Sequence, residues 1–307
     1  MPAGKLSYLF LGSDEILLLS GFKKPGKGFV ISGFEQKELP SHIISEGMIA
    51  DEELLKELLL ELKEPDSCRL LQKRKIILVL PDCLVDSKFL QVPHLSKKEL
   101  SNYLDVEAER LVSDQLSDSI MDYSVLASRH RVLNLHLAAA SRAVITAYQE
   151  LMWEVFSRCH GITFRGDLIW PLIIDLSKSE GIILLESHDS GVYIAAGREG
   201  FMYLYREEST EGEFAPVFDD LLEFVKKADS FLQQELNQPP IGKIYHWNTG
   251  KNPAGSFTYP RLENGHSWHE LKGENLQLQE DEKMDEFLQT RSPHILPAAG
   301  MMLYESL

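Results

Sequence analysis

The chain has 307 residues, with 31 Lys plus Arg against 47 Asp plus Glu and a formal charge of −16. Apolar residues make up 44% and charged residues 25%, proportions that exclude disorder or a fibrous repeat and allow about two domains. The acidic balance argues against nucleic acid as the main partner and gives no general attraction to anionic lipid.

Cys68, Cys83 and Cys159 are odd in number and lack CxxC spacing, which argues against a disulfide scaffold or a structural zinc site. The N-terminal residues lack the apolar stretch of a signal peptide, and no apolar run approaches the ~18 residues of a membrane span. The expectation is a cytoplasmic protein.

The chain opens with three short apolar runs, 6–11, 16–19 and 29–31, separated by the turn-forming stretches 12–14 and 25–28. This pattern predicts a meander of strands. A helix is expected over 51–63, capped by Asp51 and stopped by Pro65, with Leu55, Leu58, Leu59 and Leu62 on one face. A continuous apolar strand follows at 76–80, then a second short strand near 88–92. Ser96 and Glu99 have the spacing of a capping box and start a helix running to about 112. Strands are expected at 120–126 and 132–139, then a long amphipathic helix over 141–159 with Gly161 at its C-terminal end. A helix around Pro171 closes this half.

The opening pattern then returns. Strands are predicted at 181–185, 192–196 and 201–205, with turns at 187–191 and 197–200. A helix over 216–236 carries Phe218, Leu221, Leu222, Val225, Ala228, Phe231 and Leu232 at helical spacing, and a strand follows at 241–247. The segment 248–280 reads as polar loop, followed by a short helix near 280–288 and an apolar helix near 296–307. A meander followed by an apolar strand and a long helix, occurring twice, predicts two α/β lobes with a cleft between them.

Other candidate sites weigh less. The run 21–28 nearly spells a phosphate-binding GxxxxGK loop, but Gly28 replaces the Ser or Thr and a strand follows instead of a helix, so a hairpin is expected. His266, His269, Glu263 and Glu270 lack metal-ligand spacing and read as solvated loop, as does the acidic run Glu207, Glu208, Glu211 and Glu213. His130 and His136 read as structural, Cys159 has no evident His partner, and Trp153 and Trp170 read as core or interface aromatics.

The order of elements, together with several short runs, resembles the PilM family of actin-like proteins of type IV pilus assembly, which is related to FtsA. The runs are 46–54 (EGMIADEEL), 79–81 (VLP), 98–109 followed by 122–126 (DYSVL), 137–142 (LAAASR) followed by Tyr148, and 297–303 (PAAGMML). The resemblance implies an α/β fold of the actin-like, ribonuclease H-like type: duplicated lobes with an α+β subdomain inserted in the first. It divides the chain into 1–40 (opening strands of the first lobe), 41–127 (inserted subdomain), 128–176 (return to the first lobe), 177–290 (second lobe) and 291–307 (C-terminal helix packing back on the first lobe). The nucleotide cleft would involve Gly12, Ser13, Glu186 and Gly250.

The departures from the family pattern bear on chemistry. Phe10 stands where the first phosphate turn has an acidic residue, and a phenyl ring offers no oxygen to Mg²⁺. Glu186 keeps a carboxylate in the second turn, but His188 replaces the Gly that admits a phosphate. The adenosine turn keeps only Gly250 and gains Trp247. No catalytic residue, metal or cofactor is therefore expected, with Mg-ATP binding as the alternative.

The resemblance implies a cytoplasmic scaffold of a type IV pilus or type II secretion-like machine. It would reach the membrane only through the N-terminal tail of a PilN-like inner-membrane protein, held between the first lobe and its inserted subdomain. An assembly ATPase is a further partner, and an ATPase or an FtsA-like filament-former is the alternative role.

Overall fold

Strands β1 (Lys5–Leu11), β2 (Glu15–Lys24) and β3 (Gly28–Glu38) form an antiparallel meander in the computed structural model. The model describes residues 5–12, 15–24, 28–40, 42–62, 74–111, 118–129, 132–178, 180–188, 191–209, 218–234, 237–249, 267–271, 287–288 and 294–303. These fall into two compact units that divide between Asp167 and Leu168.

In the first unit the meander is followed by the short hairpin β4 (Ile44–Ser45) and β5 (Met48–Ile49), then α1 (Glu52–Glu61). The hairpin turns on Glu46 and Gly47, with φ of 49° and 76°, the left-handed pair that a two-residue turn needs. A Cβ on Gly47 would lie 2.7 Å from Leu84 Cγ and 2.8 Å from Cys83 Sγ. Asp51 caps α1 by accepting from the Leu54 N–H at 3.1 Å. Next come β6 (Lys75–Leu80), β7 (Val85–Pro93), α2 (Lys97–Leu111), β8 (Ser119–Arg129), β9 (Val132–Ser141), α3 (Arg142–Phe156) and β10 (Gly161–Phe164), and the chain then passes into the second unit within α4 (Arg165–Leu176).

The main sheet has the order β10-β6-β1-β2-β3, with β6 and β10 parallel to β1. Leu9, Leu11, Ile16 and Leu18 point to one face and pack with Leu55 and Leu59 of α1 and Tyr148, Leu151 and Met152 of α3. Phe10, Leu17 and Leu19, on the opposite face, are buried as well. Strands covered on both sides read as continuous apolar runs, which is why these segments lack alternation. Full burial of each Leu contributes about 2 kcal/mol. The Tyr148 hydroxyl donates to the Gly47 carbonyl at 2.5 Å and so ties the β4–β5 turn to α3. Burial pushes the Tyr148 phenol well above its usual range.

The long helix departs from expectation at its C-terminus. It stops at Phe156, and Ser157, with φ 54°, is the left-handed residue whose N–H bonds Trp153 O at 2.8 Å. Gly161 instead opens β10, a strand the sequence reading did not separate from its surroundings. With four residues it is too short to show a period.

The second unit repeats the plan. Strands β11 (Ile182–His188), β12 (Gly191–Arg198) and β13 (Phe201–Ser209) form the meander. They are followed by α5 (Phe218–Gln234), β14 (Lys243–Asn248), β15 (Ser267–Glu270) and α6 (Ile295–Leu303). The sheet order is β13-β12-β11-β14-β15, with β14 and β15 parallel to β11, the same sequence of neighbours as in the first unit. Leu221, Phe224, Val225, Ala228 and Leu232 of α5 pack on Ile183, Leu185, Val192 and Ile194. The duplicated α/β plan is the actin-like fold expected from the sequence.

Three expectations are revised here. Ser187 and His188 belong to β11, not to a turn, because their backbones pair with Val192 and Gly191. Glu207 and Glu208 lie in β13. Residues 267–270, read as loop, form β15. The helix expected near 280–288 falls outside the described residues except at 287–288, and the terminal residues 304–307 are also outside them.

Two substitutions test this packing by urea unfolding. Tyr148→Phe removes the bond to Gly47 and is expected to cost about 1 kcal/mol. Gly300→Ala puts a Cβ 2.0 Å from Leu168 O, a backbone atom that cannot yield cheaply, and is expected to cost about 1–3 kcal/mol.

Candidate functional site

The first unit carries a second, three-stranded sheet of order β7-β9-β8. Alternation along β9 gives it two different faces. Leu133, Leu135 and Leu137 point one way and pack under α2 with Leu90, Val92, Leu100, Leu104 and Ala108. The predicted capping box starts α2: Ser96 N–H donates to Glu99 Oε2 at 2.9 Å, and Glu99 N–H donates to Ser96 Oγ at 3.4 Å. On the same helix the buried Glu107 takes Lys88 at 2.8 Å and Arg110 at 2.9 Å, and the Lys88 hydrogen bond above all holds its carboxyl below the usual range.

The opposite face of β9 presents His136, Ala138 and Ala140, flanked by Phe89 and Val85 of β7 and by Ser124, Asp122 and Ile120 of β8. This face forms the floor of a pocket of about 270 Å³. Leu80 and Phe164, paired at the C-terminal ends of the parallel strands β6 and β10, form one wall with Ile162. Ile145 and Gln149 of α3 form another, and Asp122 and Asp167 supply carboxylates.

His136 is 1% exposed and anchors the pocket floor. Its Nδ1 lies 2.6 Å from Asp167 Oδ1, and Thr163 Oγ1 donates to Asp167 Oδ2 at 3.3 Å. A ring nitrogen facing a carboxylate carries the hydrogen, so this contact fixes the tautomer. The ring stacks on Phe89 with centroids 4.2 Å apart and planes 6° from parallel, and Phe164 lies at 5.1 Å. The sequence reading classed His136 as structural. Its partner Asp167 is 31 residues away, and no local signal joins the two.

A separate polar cluster lies at the C-terminal ends of β11 and β14 in the second unit. Ser187 Oγ is 2.8 Å from His246 Nε2 and donates to Asn248 Oδ1 at 3.4 Å. Thr249 donates to the Ser187 carbonyl twice, through its N–H at 2.9 Å and its hydroxyl at 3.0 Å. Ser187, His246 and Thr249 are all buried. Burial pushes the His246 imidazole down to about 4, since desolvation disfavours its charged form.

The residues singled out for a nucleotide site divide between the units. Gly12 is in the first, where its N–H donates to Glu15 O at 2.9 Å and closes the β1–β2 turn. Phe10, in the place of the implied acidic residue, is 1% exposed and pairs with Leu17. Glu186 is in the second unit, buried within β11 between Tyr193 and Trp247 of the neighbouring strands. His188 stands 3.5 Å from Glu207 Oε1, with its ring 4.9 Å from that of Tyr193. Ser13 and Gly250 lie outside the described residues.

The 21–28 run is the expected hairpin, with Lys24 paired to Gly28. His269 lies in β15 with Nε2 2.9 Å from Ser267 Oγ, whereas Glu263, His266 and His130 are outside the described residues. Among the described residues, no group of three His, Cys, Asp or Glu side chains gathers to ligand spacing. No helix there is long and apolar enough to cross a membrane.

No family model matches the chain, and no curated protein matches it. Solved structures do. The chain shares its fold with one described as the "PilM-PilN type IV pilus biogenesis complex", at 15% identity over 100% of both chains and a TM-score of 0.69. It also aligns with the cytoplasmic domain of EpsL, an inner-membrane component of the type II secretion system of Vibrio cholerae. That match is 11% identical over 88% of this chain and 90% of that one, with a TM-score of 0.47. A protein of Bacteroides thetaiotaomicron with an actin-like ATPase fold aligns at 10% identity over 80% and 82%, with a TM-score of 0.46.

The second-unit cluster makes stability depend on pH. His246 binds a proton near pH 6.5 when unfolded and only near 4 when folded, so the unfolded state gains protons first as pH falls. Stability from this residue is full above pH 6.5, declines through that window and levels off below 4, a total of about 3 kcal/mol. Melting curves from pH 7 to 4 are expected to show a shallower decline for His246→Asn than for the parent.

Proposed function

We propose that this chain is a non-hydrolysing actin-like scaffold of a type IV pilus or type II secretion-like machine. It works at the cytoplasmic face of the inner membrane, where it holds the N-terminal tail of a PilN-like membrane protein. The observation that carries this reading is the first-unit pocket, built where the inserted sheet meets the ends of β6 and β10. The full-length fold match to a chain from a complex of PilM with PilN supports it.

The pocket suits that ligand. An extended tail binds through apolar side chains placed in pockets and through main-chain pairing, and needs no reactive residue in the host. Ala138 and Ala140 keep the floor low, while Leu80, Ile145 and Phe164 supply apolar walls. β8 is the outer strand of its sheet, so its far edge is open to pairing among the described residues. In the same reading ATP turnover is not this protein's task. Phe10 fills the place of an acidic group, and Ser187, His246 and Thr249 bond to one another at the strand ends of the second unit.

Titration calorimetry tests both parts. The probe is a synthetic peptide of the cytoplasmic N-terminus of a PilN-like single-span membrane protein of the source organism. The parent is expected to bind it and to release no heat with Mg-ATP. Ala138→Phe, which fills the pocket from its floor, is expected to weaken the peptide at least about tenfold, or 1.4 kcal/mol. Tight Mg-ATP binding with turnover, and no heat with the peptide, would overturn the reading.

A further inference from the structure

We propose that the segment held in the first-unit pocket is cationic and continues along α3 to a second anchor, the indole of Trp153. This rests on the tail-binding reading above and adds the chemical class of the tail and its path.

Ile145 and Gln149 of α3 line the pocket, and Trp153 follows at the same interval of four. Residues four apart on a helix lie on one stripe, each a turn beyond the last. The stripe from Ile145 to Trp153 covers about 12 Å, the reach of three to four residues of extended chain. Trp153 is 59% exposed, whereas Trp170 is buried at 7%. A large exposed indole in line with an apolar pocket lengthens that pocket into a track.

The charges select the occupant. The carboxylates lining the pocket are Asp122 and Asp167, and Glu150 lies one turn before Trp153 on its helix. Among the described residues, Glu154 is already paired with Lys56 at 2.6 Å, which also bonds Glu52 at 2.8 Å, and Arg142 donates to the backbone Ser119 O at 3.4 Å and keeps its charge, so Asp122, Asp167 and Glu150 against Arg142 leave the track acidic. An acidic track with an open aromatic face suits a Lys or Arg side chain, which gains from the ring as well as from the carboxylates. It disfavours anionic lipid, and it disfavours a second copy of a chain whose charge is −16.

The test uses an array of synthetic peptides covering the cytoplasmic N-termini of the source organism's single-span membrane proteins, with the best binder measured by calorimetry and tryptophan fluorescence. The binder is expected to contain Lys or Arg, and to shift parent emission in a way absent from Trp153→Phe. Trp153→Ala is expected to raise Kd about tenfold with the melting temperature unchanged, because the side chain is at the surface. A binder that Ala138→Phe weakens but Trp153→Ala does not overturns the second anchor and leaves the tail-binding reading intact. A binder without Lys or Arg overturns the charge class. Binding to no peptide overturns the tail-binding reading and this proposal with it.

Discussion

A sheet buried on both faces can offer chemistry only where its strands end, and among the described residues each unit of this protein carries a polar cluster at such a place. Parallel neighbours put several strand ends at the same edge, so the ends of β6 and β10 in one unit, and of β11 and β14 in the other, are the natural positions for a site. The two units use that edge in opposite ways. In the first, an added sheet approaches it and leaves about 270 Å³ unfilled. In the second, Ser187 is hydrogen-bonded with His246, Thr249 and Asn248.

This contrast gives the duplicated fold a division of labour. The open edge has apolar walls and two carboxylates. The closed edge contributes stability that depends on keeping a buried imidazole neutral.

Much of the fold was legible in the sequence because its signals are local. Asp51 before an apolar-periodic run, Ser96 with Glu99, and turn residues between continuous apolar stretches each report on a few neighbouring residues. What escaped was short or distant. β10 has four residues, too few for a pattern. Ser157 is an unremarkable residue in a left-handed conformation, and the obvious Gly161 drew the helix end past it. The pocket was the least visible part, since its floor comes from alternate residues of β9 and its anchor from the pairing of His136 with Asp167. Both depend on tertiary contact, which spacing does not encode.

Strand β9 ends at Ser141 and α3 begins at Arg142, so no loop separates them. The pocket's base and one of its sides are therefore consecutive in the chain, joined by the single peptide bond between Ser141 and Arg142. The helical side is fastened in turn, through the hydroxyl of Tyr148, to the Gly47 carbonyl of the β4–β5 turn, so a third element bears on the shape of the cavity.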